Sequence, residues 1–156
     1  MKNARDWFAV LCLALFSSGV FTSCAENSST ELLTSEAEVA FARFCEAYEN
    51  RDTERVLGYI SGKEPSLLLQ ASHLYGSEVV NYFESSLLQL SSFDSLKISN
   101  IRTVSLTDES VILHCDFYEE YTTQNGEKYK MSGGAMYLMR KEKSEWKIVH
   151  AAGAIR

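Results

Sequence analysis

Three polar residues in the last third of the chain have the chemistry to move protons: His114, Asp116 and His150. An imidazole titrates near neutral pH, and a neighbouring carboxylate can fix its tautomer and raise its pKa. Together they form a candidate acid–base site, provided that the fold brings them to one surface.

The elements that must position these residues are strands. From residue 95 onward, apolar and polar residues alternate, and Asn125-Gly126 between two such runs is a strong hairpin signal. The pattern predicts an antiparallel meander of four strands, at about 95–106, 110–123, 128–141 and 145–154.

Turn lengths set which residues meet across this meander. A two-residue turn at Asn125-Gly126 places His114 opposite Tyr137, and a two-residue last turn then places His150 opposite Tyr137. We therefore predict a row of His114, Tyr137 and His150 across three strands, with Asp116 beside it.

Two interpretations of this row remain open. In one, it lines a pocket wall, with Gly133, Ala135 and Ala152 leaving space for a ligand. In the other, the opposite, apolar face packs on the helices, and the row faces solvent or a dimer partner. The apolar face would carry Val111, Leu113, Cys115, Phe117, Met136, Leu138 and Val149.

Helical patterns precede the strands. A capping-box pattern at Ser35 and Glu38 predicts a first helix, and Asp52 is the predicted N-cap of a second helix that ends near Ile60. A short buried strand at 67–69 and a third helix after Gly76 follow. One face of the first helix is apolar, with Ala37, Ala40, Phe41, Phe44, Cys45, Ala47 and Tyr48. Helices followed by an antiparallel sheet predict an α+β domain.

The order of these elements and several short motifs resemble the NTF2-like superfamily, in particular its SnoaL-like branch, over about residues 35–152. The motifs are Phe41-Ala-Arg-Phe44 through Tyr48 and Asp52, Tyr75-Gly76-Ser-Glu78, Val80-x-Tyr82-Phe83, Asn125-Gly126-Glu127 and Glu145-Trp146-Lys147-Ile148-Val149-His150.

The resemblance implies a cone, in which N-terminal helices pack on a curved antiparallel sheet of four to five strands. It implies a pocket at the wide end. We also predict a homodimer. The candidate ligand-binding residues are Tyr48, Tyr82, Tyr118 and Tyr137. Members include isomerases, cyclases, dehydratases and binding proteins. Related chains often carry a second His and a Ser near the end, where this chain has Ala152 and Ala154, and this departure weakens a catalytic interpretation.

Charge and cysteine content exclude several classes. A net charge of −6 disfavours a nucleic-acid partner. The histidine and cysteine spacings predict no metal site, and we expect no cofactor. Cys45 and Cys115 lie on apolar faces, so buried free thiols are the preferred interpretation and a disulfide is the alternative.

The N-terminus resembles a bacterial export signal. Lys2 and Arg5 precede an apolar run, and Phe21-Thr-Ser-Cys24 resembles a lipobox. We predict a signal peptide at 1–23, a lipidated Cys24, a tether at 24–34 and the domain at 35–156. The alternative is ordinary cleavage before Glu26.

These patterns predict a cell-envelope lipoprotein, in the outer membrane if the source has two membranes. The first hypothesis is a non-catalytic domain that binds a small, largely apolar molecule or acts as a dimeric scaffold. The alternatives are an isomerase or hydro-lyase that uses His114, Asp116 and His150, or a protein-interaction module.

Overall fold

The computed structural model describes residues 29–70 and 72–156. Three helices lie in the first half of this part: α1 at 29–49, α2 at Thr53–Gly58 and α3 at Ser77–Gln89. The Asp52 side chain accepts a hydrogen bond from the Arg55 amide, which confirms Asp52 as the N-cap of α2. Signal and lipidation predictions at 1–24 lie outside the described residues.

Six strands form one mixed sheet. They are β1 (Ser66–Leu69), β2 (Ser72–Tyr75), β3 (Leu90–Thr107), β4 (Ser110–Thr123), β5 (Lys128–Glu142) and β6 (Glu145–Ile155). The order in the sheet is β2-β1-β6-β5-β4-β3, and only the β1–β6 pair is parallel. The predicted α+β cone is confirmed, with a larger sheet because β1 and β2 extend it beyond the meander.

The core lies between the helices and one face of the sheet, which we call the inner face. Phe41 of α1 packs on Tyr137 of β5 with ring centroids 4.7 Å apart. The apolar stripe predicted for α1 is confirmed as the buried side of that helix. Side chains with no exposed surface include Ala37, Ala47, Val56, Val111, Leu113 and Met139.

The first helix begins earlier than the capping-box pattern predicted. Residues 29–34 are already helical, so Ser35 and Glu38 lie inside α1 and do not cap it. Leu33, one turn before Ala37, packs against the core and continues the apolar stripe. Glu38 instead accepts a hydrogen bond of 2.6 Å from the Thr103 hydroxyl of β3.

The register predicted for the β4–β5 hairpin is wrong by one residue. The turn has three residues, 124–126, closed by a 2.9 Å hydrogen bond from the Thr123 amide to the Glu127 carbonyl. Gly126 takes the left-handed conformation, with φ at 84°, that this turn requires of its last residue. His114 therefore pairs with Met136, and Tyr137 pairs with Leu113.

The β5–β6 hairpin has the predicted two-residue turn, at Lys143-Ser144. A β-bulge between Leu138 and Met139 then shifts the register, so His150 lies opposite Leu138 and not opposite Tyr137. The predicted row of His114, Tyr137 and His150 does not form. A one-residue slip exchanges the two faces of a strand, and here it sends Tyr137 to the inner face.

Candidate functional site

A cavity of about 630 Å³ lies inside the cone, between α1, α3 and the inner face of the sheet. Its wall is mainly aromatic and aliphatic. The residues that line it include Phe44, Cys45, Tyr48, Leu67, Leu69, Leu74, Tyr82, Phe83, Leu96, Ile98, Phe117, Glu119, Tyr121, Met131, Ala135 and Tyr137. A largely apolar concavity with a few polar groups is the usual form of a small-molecule site.

The helix period brings the aromatic residues of α1 to this wall. Phe44 and Tyr48 are four residues apart, and their rings stack with centroids at 6.2 Å. Phe44 also meets Phe83 of α3 edge to face, at 6.2 Å. These contacts join the two helices around the cavity and hold the Tyr48 ring in place.

Glu119 is the one charged residue among those that line the cavity. In β4, its neighbours across the sheet are Leu96 of β3 and Met131 of β5, which offer no positive charge. Burial raises the pKa of the Glu119 carboxyl, and no hydrogen bond or ion pair offsets this effect within the described part of the chain. The cavity therefore contains an unpaired acidic group.

Three tyrosines, Tyr48, Tyr82 and Tyr137, line the same cavity as this carboxyl. Burial, followed by the charge of Glu119, raises the pKa of Tyr48, and burial raises the pKa of Tyr137 well above its ordinary value. Burial also raises the pKa of Tyr82, whose hydroxyl interacts with Ser86. All three tyrosines thus stay protonated at neutral pH, so each hydroxyl can donate a hydrogen bond to a ligand.

The predicted ligand-binding residues divide between the two faces. Tyr48, Tyr82 and Tyr137 line the cavity. Tyr118 lies on the outer face of the sheet, where its hydroxyl bonds Glu120 and the Lys97 ammonium lies 5.8 Å from its ring centroid. Adjacent strand residues point to opposite faces, so Tyr118 cannot share the wall that holds Glu119.

His114 and Asp116 also lie on the outer face, along a shallow, open depression. The Asp116 carboxylate accepts hydrogen bonds from Asn100 at 2.7 Å and from Arg156 at 3.3 Å. Neither partner is a histidine. The interpretation in which this polar face points away from the helices is the one that matches the structure.

His150 is separated from that depression. Its Nδ1 shares a 2.7 Å hydrogen bond with the Ser66 hydroxyl of β1, and its ring centroid lies 6.2 Å from that of His73. His73 in turn bonds the Tyr75 hydroxyl at 2.7 Å. Asp116 and His150 thus hold other partners, and the three residues predicted as an acid–base group do not converge on one point.

Sequence reasoning missed Glu119, although a signal for it exists. In β4, alternate residues from Val111 to Tyr121 face inward, and all of them are apolar or aromatic except Glu119. A carboxylate in the apolar phase of an alternating strand marks a buried polar group.

As for metals, residues 29–70 and 72–156 contain no cluster of three His, Cys, Asp or Glu side chains that could hold an ion.

No family model matches this chain, and no curated protein matches it. Solved structures do. A protein from Streptomyces avermitilis, provisionally named a dehydratase of the NTF2-like family, superposes with a TM-score of 0.72 at 13% identity, over 81% of this chain and 98% of that one.

Two further structures agree. An NTF2-like superfamily protein from Salmonella enterica has a TM-score of 0.71 at 16% identity, over 80% of this chain and 92% of that one. A ketosteroid isomerase-like protein from Erwinia carotovora has a TM-score of 0.67 at 15% identity, over 78% and 95%. The fold of this chain is therefore NTF2-like. At identities this low, the similarity supports a conclusion about the fold alone.

Proposed function

We propose that the cone binds a small, largely apolar molecule that carries one polar group. The observation that carries this proposal is the aromatic cavity of about 630 Å³, with the Glu119 carboxyl and the hydroxyls of Tyr48 and Tyr137 at its wall. Transfer of an apolar body from water to this wall lowers the free energy, and the polar group of the ligand pairs with those hydroxyls.

Two methionines provide a test with an internal control. Met131 lines the cavity, whereas Met136 lies on the outer face beside His114. The full chain, labelled with 13C at its methionine methyl groups and held in lipid nanodiscs, is titrated with 1-naphthol. We expect the Met131 methyl resonance to shift saturably while that of Met136 stays in place.

Two variants, each of which replaces an alanine with leucine, make this test more specific. Ala135→Leu fills space at the cavity wall, whereas Ala154→Leu adds the same side chain at an exposed position on the outer face. We expect Ala135→Leu to weaken naphthol binding by about ten-fold or more and Ala154→Leu to leave it unchanged. Equal shifts of both methionines, or no shift of Met131, would refute binding in the cone.

Proton transfer by Glu119 is the second candidate function. Its specific support is a carboxyl with a raised pKa in a partly desolvated cavity that tyrosines also line, which is a common arrangement for a general base. Glu119 would take a proton from the carbon next to a carbonyl group and return it. In D2O, the wild type should therefore exchange the α-protons of α-tetralone, and Glu119→Gln should lose this exchange. Equal exchange by the two would exclude this role.

An exported, lipid-anchored form is proposed from the sequence before the described residues. The support is the basic and apolar segment that ends at Cys24. Within residues 29–70 and 72–156, no helix combines the length and apolarity needed to cross a membrane. Radioactive palmitate should label the chain in bacterial cells, and Cys24→Ala should abolish this label. A label that persists would contradict the anchor.

The homodimer stays a prediction, which light scattering after gel filtration can test.

A further inference from the structure

The charge balance inside the cone is one-sided. Among residues 29–70 and 72–156, those that line the cavity include Glu119 and no lysine, arginine or histidine. Lys130, a cation of the neighbouring strand β5, pairs with Glu120 on the outer face. A carboxylate that has lost part of its hydration and lacks a counter-ion is unfavourable, so a positive charge brought by a ligand would be attracted to it.

Aromatic rings line the same cavity as this carboxylate. Tyr48 of α1, Tyr82 of α3, Tyr121 of β4 and Tyr137 of β5 line the cavity together with Glu119, so aromatic rings from four different elements share its wall. The face of an aromatic ring is negative and attracts cations, most strongly where water is excluded. Rings and carboxylate therefore favour the same sign of ligand charge.

From this arrangement we infer that the ligand of the cone is an organic cation, a protonated or quaternary amine on an apolar body, with Glu119 as its counter-ion. The inference rests on the proposed binding function and adds the charge of the ligand. The volume of the cavity accommodates a molecule with one ring and an alkylammonium head group. An anionic ligand would meet an unpaired carboxylate, which is repulsive.

A pair of nearly identical probes isolates the charge. Benzyltrimethylammonium and neopentylbenzene have the same shape. They differ in the atom that carries the three methyl groups, which is a positively charged nitrogen in the first and a neutral carbon in the second. Both are titrated into the full 13C-methionine-labelled chain in nanodiscs, with Met131 as the reporter. We expect the cation to bind at least about ten-fold more tightly than the hydrocarbon, and phenylacetate to give no shift of Met131.

Three variants test whether the preference for the cationic probe depends on the Glu119 side chain. Glu119→Gln should reduce the affinity ratio of the two probes to about one, Glu119→Asp should retain a preference for the cation, and Glu120→Gln on the outer face should leave the ratio unchanged. The unperturbed Met136 signal verifies that each variant is folded.

The outcomes separate the two proposals. If the hydrocarbon binds as well as the cation, or if the ratio survives in Glu119→Gln, the cation inference is wrong and binding in the cone stands. If neither probe, nor 1-naphthol, shifts Met131, both proposals fail together.

Discussion

The Glu119 carboxyl of β4 and the Tyr48 hydroxyl of α1 reach the same cavity from different elements, and burial raises the pKa of both. The charge on Glu119 raises the pKa of Tyr48 further, which keeps the phenol protonated. Protonation of Glu119, whose pKa burial raises, therefore couples the stability of the fold to pH.

The first prediction concerns this coupling. Because the pKa of Glu119 is higher in the folded chain than its ordinary value of 4.5, the folded state holds the proton more tightly. The stabilising contribution is complete below pH 4.5 and is lost as pH rises through the folded pKa. Glu119→Gln should therefore be more stable than wild type at pH 8, with no advantage near pH 4.

Urea unfolding between pH 4 and 8, followed by circular dichroism, measures this difference. The facing groups Tyr48, Tyr82, Tyr121, Tyr137 and Cys45 do not titrate in that range, since burial raises the pKa of each. Glu120→Gln is the control. Hydrogen bonds from Lys130 and Tyr118 lower the pKa of Glu120, so its removal should have the opposite sign, a loss of stability at higher pH. A Glu119→Gln variant that is less stable at pH 8 would contradict the assignment.

The second prediction compares two adjacent glycines. A Cβ at Gly133 would overlap the Ala154 carbonyl oxygen and lie 2.9 Å from two ring carbons of Phe117, whereas at Gly134 the nearest atom would be 3.9 Å away. Gly133→Ala should thus force β5 and β6 apart and cost about 2 kcal/mol or more, and Gly134→Ala should be close to neutral. Chemical denaturation of the two variants tests this contrast, and equal stabilities would rule out the close approach at Gly133.

The third prediction concerns the thiols, which are free as the sequence suggested. Burial is the main cause that raises the pKa of Cys45 to about 12 and that of Cys115 to about 11. At pH 8 both are protonated, and the protonated thiol is not the nucleophile. Neither should react with Ellman's reagent in the folded chain within minutes, and both should react in guanidinium, as peptide mass spectrometry can resolve. Fast labelling of Cys115 without denaturant would be inconsistent with its burial.

Local signals predicted most of the elements correctly. Alternation gave the four long strands within a few residues, and Asp52 gave the start of α2, because caps and side-chain periodicity act over short distances. The strand β2 was missed, since it has four residues and only Leu74 among them packs against the core. Such a short edge strand is defined by its partner β1 and has no strong pattern of its own.

The candidate site was harder to predict, because it depends on turn geometry and on bulges. A three-residue turn ending at Gly126 and a two-residue turn differ by one pairing step, and that step decides whether Tyr137 faces His114 or the core. The bulge beside Leu138 has the same consequence for His150. Neither feature follows from the hydrophobic pattern, which both registers satisfy nearly equally well.

The last prediction separates the polar residues of the outer face from the cavity. His114→Ala, Asp116→Asn and His150→Ala should leave the 1-naphthol affinity reported by Met131 unchanged, because His114 and Asp116 lie on the outer face, His150 bonds Ser66 of β1, and none of the three lines the cavity. By contrast, Tyr82→Ala removes part of the cavity wall and should weaken binding several-fold. Asp116→Asn should change stability by less than about 1 kcal/mol, since its ion pair with Arg156 is exposed. A loss of binding in His114→Ala equal to that in Tyr82→Ala would indicate a binding site on the outer face and exclude the cavity of the cone.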